Sequence, residues 1–401
     1  MESKVTISEI AQISSGSTAP KDQYFSDEGI PFIRAGHLEK LINGFPLNNL
    51  PKISKSIANG LKLKKVDKGS ILFAKSGMSS TKNRVYQCSE ETYIVNHLAS
   101  ITPDSTKVEP EYLKYFLQWF NPSRLIIDES YPSIRLSDIA NIQLKLSNIE
   151  TQRKIVSLLN KAQKLIFLRK NQIAALSSLT QSVFLEMFGD PVINRRKWVV
   201  RPLEDFLKKI DSGWSPKSES FPAKEGEKGV LKLSAVTKGV YLPTENKALY
   251  VDTPFKEQYE VKKGDLLITR KNTKELVGAC AYVFNTPTNL MIPDTIFRLV
   301  FKSVQYQIHP IFLWRLLNNN SFRHKVTGLA EGSAGSMPNI SKKNLLKLRV
   351  IVPPIELQEQ FSKKVIKIEE QKDLLNKGLL ILENNFNSLM HRAFKGELFN
   401  D

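Results

Sequence analysis

The stretches that decide the fold are "IETQRKIVSLLNKAQKLI" (149–166) and "IELQEQFSKKVIKIEEQKDLL" (355–375), which open with the same Ile-Glu-x-Gln phrase. Their apolar residues alternate between spacings of three and four, the heptad pattern of a coiled-coil seam. We predict two helices of about 40 residues, each roughly 60 Å long. Such a helix, with one apolar stripe, needs a partner. The other copy can supply it, so we expect an antiparallel coiled coil; two core helices buried in separate domains are the alternative.

Polar residues interrupt each predicted seam, with Arg169 and Gln172 in the first helix and Lys372 in the second. Asn148 suits the N-cap of the first helix, and a glycine follows each helix in "MFGDP" (187–191) and "AFKGE" (393–397). The apolar seam positions are Ile155, Leu158, Ala162, Leu165, Leu176, Leu179 and Val183 in the first helix and Phe361, Val365, Ile368, Leu375, Leu379, Leu382, Phe386 and Leu389 in the second.

The segments ahead of the two helices also repeat, at a period of roughly 200 residues, which is too long for a solenoid. The matched pairs are 13–20 with 210–217, 66–77 with 261–272, 110–119 with 309–318, and 130–155 with 336–361. Within the last pair, alternating apolar residues predict a strand with one buried face. The repeat predicts an α+β protein with two homologous mixed α/β domains. We place them at 1–147 and 191–353, with the long helices at 148–190 and 354–401.

Charge points to the kind of partner. Lys and Arg number 58 against 40 acidic residues, a formal net charge of +18, which favours a polyanion, although a ribosomal or membrane-surface protein could share it. The helices at 148–188 and 355–395 carry only +4 and +1, so the domains are the better candidates for polyanion binding. No apolar run approaches the ~20 residues of a membrane span, and no signal pattern opens the chain. We therefore expect a cytoplasmic protein with no membrane partner, whose Cys88 and Cys280 are buried thiols.

Basic and polar loops of the repeated segments are the candidate nucleic-acid contacts. Arg and Lys suit guanine and phosphate, and Asn suits adenine, whereas the alternative is an ordinary solvated loop. The candidates are Ser17, Lys75, Ser76, Ser79, Ser80, Thr81, Lys82, Arg84 and Arg135 in the first domain and Trp214, Ser215, Lys217, Thr269, Arg270, Lys271, Asn272, Lys274, Ser336 and Asn339 in the second.

Catalytic signatures are weak or missing. The sequence contains neither a phosphate-binding loop nor a dinucleotide fingerprint, and its five histidines have no zinc-ligand spacing. The stretch 120–124 only faintly resembles an amino-methyltransferase motif, and Asp252 with Glu260-x-Lys262 only matches the spacing of a metal-dependent nuclease. We expect no catalytic residues, metal or cofactor. The alternatives are a self-contained DNA methyltransferase or nuclease with degenerate motifs, and a basic RNA-binding interaction protein.

The chain resembles, over essentially its whole length, the specificity subunit of Type I restriction-modification systems. The resemblance depends on the order, repeated twice, of the junctions "LSNIETQ" and "VPPIELQ", the strands "KGSILFAKSG" and "KGDLLITRKN", and the helix ends "FGDP" and "AFKGEL". The chain departs from some members because its first domain begins within about ten residues of Met1, so we expect no substantial segment ahead of it. Its first junction also lacks the Pro-Pro of the second.

The resemblance implies a non-catalytic DNA-recognition subunit. Each domain would be a target recognition domain that reads one half of an asymmetric bipartite target in double-stranded DNA. The two helices would form the antiparallel coiled coil that spaces the domains. Two adenine-N6 methyltransferase subunits would dock around it, and restriction/translocase subunits could join. S-adenosylmethionine would belong to the methyltransferase partner.

Overall fold

The computed structural model describes residues 3–302, 307–331 and 337–399. The chain forms two compact units, of which the first comprises 1–169 and 378–401 and the second comprises 170–377. Both long helices are therefore divided between the units. No helix among the described residues is long and apolar enough to cross a membrane.

Within the described residues, the first unit has ten strands, the start of the first long helix and the end of the second. Its strands are β1 (Ser3–Thr6), β2 (Ala11–Ser15), β3 (Ile30–Ile33), β4 (Lys52–Ile53), β5 (Lys65–Val66), β6 (Ile71–Ala74), β7 (Tyr86–Gln87), β8 (Thr92–Ile94), β9 (Leu98–Pro103) and β10 (Gln143–Leu146). Its helices are α1 (Ile7–Ile10), α2 (Leu38–Ile42), α3 (Lys55–Gly60), α4 (Pro110–Phe120), α5 (Leu136–Ala140) and the beginning of α6 (Ile149–Phe188).

The second unit contains the remaining elements up to the middle of the last helix. Its strands are β11 (Val199–Pro202), β12 (Leu207–Ser212), β13 (Gly229–Leu231), β14 (Asn246–Ala248), β15 (Leu266–Thr269), β16 (Cys280–Tyr282), β17 (Leu290–Met291), β18 (Ile296–Phe301), β19 (Ala330–Glu331), β20 (Asn339–Ile340) and β21 (Arg349–Val352). Its helices are α7 (Ser234–Thr237), α8 (Pro310–Leu317), α9 (Arg323–Thr327), α10 (Lys342–Leu346) and the beginning of α11 (Ile355–Lys395).

The two units repeat one sheet topology. An antiparallel four-stranded sheet has the order β2-β9-β6-β7 in the first unit and β12-β18-β15-β16 in the second. The strand before each long helix pairs with an N-terminal strand, as β1 with β10 and β11 with β21. Turns at Gly69 (φ +86°) and Gly264 (φ +96°) precede the buried central strands β6 and β15, a conformation that glycine adopts without strain. The predicted duplication is confirmed.

The long helices have the predicted length, with 40 residues in α6 and 41 in α11. The Asn148 side chain caps α6 by accepting the Thr151 N–H at 2.8 Å. The core of the first unit joins the start of α6 to the end of α11, through Ile155, Val156, Leu159, Met390, Ala393 and Phe394. The core of the second unit joins the end of α6 to the start of α11, through Phe184, Phe188, Phe361 and Val365. The helices are therefore antiparallel, as predicted.

The glutamine of the repeated phrase fastens each long helix to its domain. Gln152, 1% exposed, accepts the Glu109 N–H at 2.8 Å and donates to Ser147 O at 2.8 Å. Gln358, 0% exposed, accepts the His309 N–H at 2.7 Å and donates to Gln307 O and Pro353 O at 3.0 and 2.7 Å. Both glutamines thus satisfy backbone groups beside the first turns of α4 and α8, which explains why the phrase occurs twice.

The predicted seam needs a correction on α6. Leu165 and Leu179 are 53% and 45% exposed, whereas Leu159 and Thr180 are buried. The less exposed stripe continues through Ile166, one residue after the predicted Leu165, and through Ile173, one residue after the polar Gln172. One residue turns a helix by about 100°, so leucine identity alone placed these positions on the wrong face. On α11, every predicted seam position is buried or half-buried.

Candidate nucleic-acid interface

A glycine brings one loop close to another in each unit. A Cβ atom at Gly16 would lie 2.1 Å from Ile94 O, and one at Gly213 would lie 2.0 Å from Ile292 O, so no other residue fits without displacing backbone. The following residues, Ser17 and Trp214, donate their N–H groups to the same carbonyls at 3.0 Å. The repeated Ser-Gly pair therefore has a structural role, and it places two candidate contact residues at equivalent positions.

Three backbone hydrogen bonds join the other loops of the first unit. Lys75 N donates to His97 O at 2.8 Å, Ile134 N to Lys75 O at 2.7 Å, and Gly77 N to Pro132 O at 2.9 Å. We call residues 16–17, 75–77, 94–97 and 132–135 the first loop cluster. This cluster brings together the candidates Ser17, Lys75, Ser76 and Arg135, which lie far apart in the sequence.

The second unit repeats all three hydrogen bonds. Arg270 N donates to Thr295 O at 2.9 Å, Ile340 N to Arg270 O at 2.7 Å, and Asn272 N to Pro338 O at 3.3 Å. We call residues 213–215, 270–272, 292–295 and 338–340 the second loop cluster. It brings together the candidates Trp214, Ser215, Arg270, Lys271 and Asn339.

Side chains of the two clusters interact differently. In the first, Ser76 Oγ and His97 Nδ1 are 2.7 Å apart, and Ser17 Oγ accepts the Lys64 N–H at 2.9 Å. In the second, Arg270 Nε donates to Asn339 Oδ1 at 3.1 Å, while the guanidinium carbon lies 5.2 Å from the centroid of the Phe297 ring. Arg270 is therefore held in one orientation, as planar recognition of a base requires.

Three predicted contact residues are buried and must be corrected. Ser80, Thr269 and Asn272 are 2%, 0% and 7% exposed. Their side chains hydrogen-bond within the unit, with Ser80 Oγ donating to Gly77 O at 2.7 Å, Thr269 Oγ1 to Leu276 O at 3.1 Å and Asn272 Nδ2 to Thr237 Oγ1 at 3.2 Å. These polar residues shape the loops, and no nucleic acid can reach them in this conformation.

The remaining candidates lie at the surface or are partly covered. Arg84 forms an ion pair with Glu39, and Thr81 Oγ1 donates to Met78 O at 2.9 Å. Ser336 lies outside the described residues. The exposed or half-buried candidates without a side-chain role in the clusters are Ser79, Lys82, Arg135, Lys217, Lys271 and Lys274.

Sequence reasoning missed His97 and Lys256. His97 is exposed in the first cluster, and the Lys256 ammonium lies 4.0 Å from the centroid of the Trp214 ring. Alignment of "VNHL" (95–98) with "PDTI" (293–296) would have pointed to His97, because both segments lie beside the basic loops. Lys256 has no such signal, because it reaches Trp214 only through the tertiary fold.

One residue of each weak enzymatic motif forms a hydrogen bond that supports the local fold. Glu260 of the nuclease-like spacing accepts the Asn289 N–H at 2.9 Å, and Asn121 accepts the Ser123 N–H at 3.2 Å. Across residues 3–302, 307–331 and 337–399, no three His, Cys, Asp or Glu side chains could jointly hold a metal ion. Cys88 and Cys280 are free and buried, and burial raises the pKa of the Cys88 thiol to about 12.

Comparisons with known proteins agree with this architecture. The chain is 33% identical over 162 residues to the type I restriction enzyme EcoEI specificity subunit of Escherichia coli, a match that spans 40% of the chain and 27% of that relative. It is 25% identical over 391 residues to a Methanocaldococcus jannaschii protein named as the type I restriction enzyme MjaX specificity subunit, covering 88% of the chain and 87% of that relative.

A solved structure shares the fold. The Type-I restriction-modification system S subunit from M. genitalium superposes with a TM-score of 0.55 at 14% identity, over 98% of this chain and 96% of that one. The family model for the Type I restriction modification DNA specificity domain matches residues 2–178 and 195–384, one match in each half of the chain. Two copies of the domain thus account for the duplicated sequence and topology, and the chain belongs to the Type I restriction modification DNA specificity domain family.

Proposed function

We propose that the chain is the non-catalytic DNA sequence-recognition subunit of a Type I restriction-modification complex. Each loop cluster reads one half of a bipartite target. The observation that carries the proposal is the repeated framework of backbone hydrogen bonds, which presents different side chains in the two units. Lys75, Ser76 and His97 in the first cluster correspond to Arg270, Lys271 and Thr295 in the second. Because the donors and acceptors differ, the two half-sites differ in sequence.

The partners are double-stranded DNA and other subunits of the complex. Exposed large apolar side chains on the long helices support protein docking, including Phe167 (61% exposed) on α6 and Leu380 and Ile381 (both 60% exposed) on α11. Two adenine-N6 methyltransferase subunits bind there, and restriction/translocase subunits join them. The methyltransferase subunits carry S-adenosylmethionine, so the specificity subunit needs no cofactor. The complex acts in the cytoplasm, where the chromosome is accessible.

The first experiment exchanges one domain. Residues 200–350 are replaced by the corresponding domain of another family member, and adenine methylation is mapped across host DNA in the presence of the partner subunits. We expect one half of the methylated motif to change while the other half and the spacing stay the same. A change in both halves would contradict modular reading. The matched control exchanges the first domain and should alter the opposite half-site.

A second experiment distinguishes recognition from catalysis. The purified chain alone is incubated with duplex DNA, S-adenosylmethionine and a divalent metal ion. We expect DNA binding that weakens steeply with salt, because Lys and Arg displace counterions from phosphates. We expect neither methylation nor cleavage, and turnover by the chain alone would refute the non-catalytic assignment.

A further inference from the structure

Trp214 has no aromatic counterpart in the first loop cluster. Gly16 and Gly213 are equivalent, and the next residue in each unit donates its N–H to an isoleucine carbonyl at 3.0 Å. Trp214 thus occupies the position at which the first cluster has Ser17. The two domains differ here by a large half-buried ring against a small hydroxyl.

The backbone on both sides of Trp214 is fixed. Gly213 lies against Ile292 O, and Ser215 Oγ both accepts the Asp294 N–H at 3.1 Å and pairs with the Asp294 carboxylate. The next residue, Thr295, accepts the Arg270 N–H at 2.9 Å. One short segment, 292–295, therefore holds both the Trp214 loop and the Arg270 loop by backbone hydrogen bonds.

Lys256 covers the Trp214 ring. Its ammonium lies 4.0 Å from the ring centroid, a cation–π distance, and its backbone N–H donates to Met291 Sδ at 3.2 Å. Among the described residues, the Lys256 ammonium forms no ion pair with a carboxylate, so it can meet a phosphate beside the apolar surface of the half-buried indole.

We infer that Trp214 and Lys256 form a stacking platform for an unstacked base in the half-site of the second domain. The inference rests on the proposed function and adds that the two domains contact DNA in different ways. Aromatic side chains that stack on bases or wedge between them depend on bases leaving the duplex stack, which costs free energy. The first domain has Ser17 at this position and therefore lacks such a platform.

The platform predicts a preference for DNA that is already unstacked. The full chain is titrated against a short fluorescein-labelled duplex and against the same duplex carrying one unpaired thymine. The wild-type chain should bind the bulged duplex more tightly. Trp214→Leu should weaken that binding on the order of tenfold and remove the preference, whereas Trp214→Phe should keep part of it. Phe45→Leu, at an exposed aromatic residue outside both loop clusters, is the control and should leave the preference unchanged.

Lys256→Met tests the cation. It should weaken binding to both duplexes and lower the slope of affinity against salt by about one, as expected for one lost phosphate contact. An unchanged slope would show that Lys256 contacts no phosphate and is not part of the platform.

Direct contact is measured by photocrosslinking, which needs no variant. With 5-iododeoxyuridine at the bulged position, the adduct on the wild-type chain should map to Trp214. Adducts only elsewhere, or a bulge preference that survives in Trp214→Leu, would overturn the inference. A wild-type chain that binds neither duplex would instead overturn the proposed function.

Discussion

The first and second loop clusters share their backbone and differ in their side chains. Lys75 and Arg270 each donate to one loop and accept from another, at distances that agree within 0.1 Å. Around them, Ser76 and His97 in the first cluster contrast with Asn339 and Trp214 in the second. Because these bonds join backbone groups, the exposed side chains of the clusters differ between the units while the framework stays the same.

The two units also differ in which long helix supplies an aromatic residue to the core from its C-terminal end. In the first unit, the ring centroid of Phe394, from the end of α11, lies 5.2 Å from that of Tyr112 and 5.6 Å from that of Phe116. In the second unit, the ring centroid of Phe188, from the end of α6, lies 4.8 Å from that of Phe312 and 5.4 Å from that of Phe361. The core of each domain thus includes an aromatic residue from the end of the long helix that follows the other domain.

The largest expected effect comes from these two aromatic residues. Phe188→Ala should destabilise the second unit, and Phe394→Ala the first, by about 3–5 kcal/mol each, because each leaves a cavity in a buried core. Hydrogen exchange should show lost protection in β12 and β18 for one variant and in β2 and β9 for the other. Leu165→Ala, at an exposed position, is the control and should stay within about 0.5 kcal/mol of wild type. Equal loss in both units would show that they do not unfold separately.

The next largest effect is expected at Gln152 and Gln358, the glutamines at the start of the two long helices. Gln358→Leu should cost more than Gln152→Leu because Gln358 makes three hydrogen bonds and Gln152 makes two. Each variant removes buried or part-buried hydrogen bonds, whose net contribution is about 0.5–1.5 kcal/mol apiece. Urea denaturation midpoints measure the difference, with exposed Gln360→Leu as the control in the same helix turn. The reverse order would mean that side-chain volume outweighs hydrogen bonding at these junctions.

The equivalent cations should differ in what they contribute to recognition. Arg270→Lys should reduce discrimination at one half-site by about 1–3 kcal/mol, because a planar fork fixed by Asn339 is replaced by a flexible ammonium. Lys75→Arg should change overall affinity more than discrimination at the other half-site. Binding to targets with single base changes checks both. If the two substitutions changed discrimination equally, the fixed orientation of Arg270 would have no role in reading.

The smallest effect is pH dependence from a histidine in each unit. Burial, reinforced by Arg34 and Lys40, lowers the pKa of His37, and burial lowers the pKa of His309. In both, Nδ1 accepts a backbone N–H at 3.2 Å, a bond that only the neutral ring can make.

The lowered pKa values of His37 and His309 decide how stability changes with pH. Because the unfolded chain takes up the proton first, this stability is fully present above about pH 6.5 and is lost as the pH falls below it. Thermal unfolding of His37→Gln and His309→Gln should show a weaker decline between pH 7 and pH 5 than wild type. Exposed His324→Gln, the control, should follow wild type. An unchanged decline in the first two variants would assign the acid sensitivity to carboxylates.

Much of the fold was predictable because it depends on local pattern. The heptads of α6 and α11, the glycine turn before each central strand and the duplication are all visible in the residue order. The seam of α6 was less predictable, because Leu165 and Ile166 are both apolar and packing alone decides which faces inward. Likewise Ser80, Thr269 and Asn272 have the composition of contact residues, but their hydrogen bonds lie inside the domains.

The sequence by itself determined that two related domains each precede a long helix and that positive charge concentrates in the domains. These properties follow from periodicity, repetition and composition, which need no knowledge of distant contacts. Only the tertiary structure decided which polar side chains meet at one surface. Segments as distant as 75 and 134, or 214, 256 and 294, come together through strand pairing and loop packing. Such long-range contacts depend on the whole core, so no local spacing encodes them.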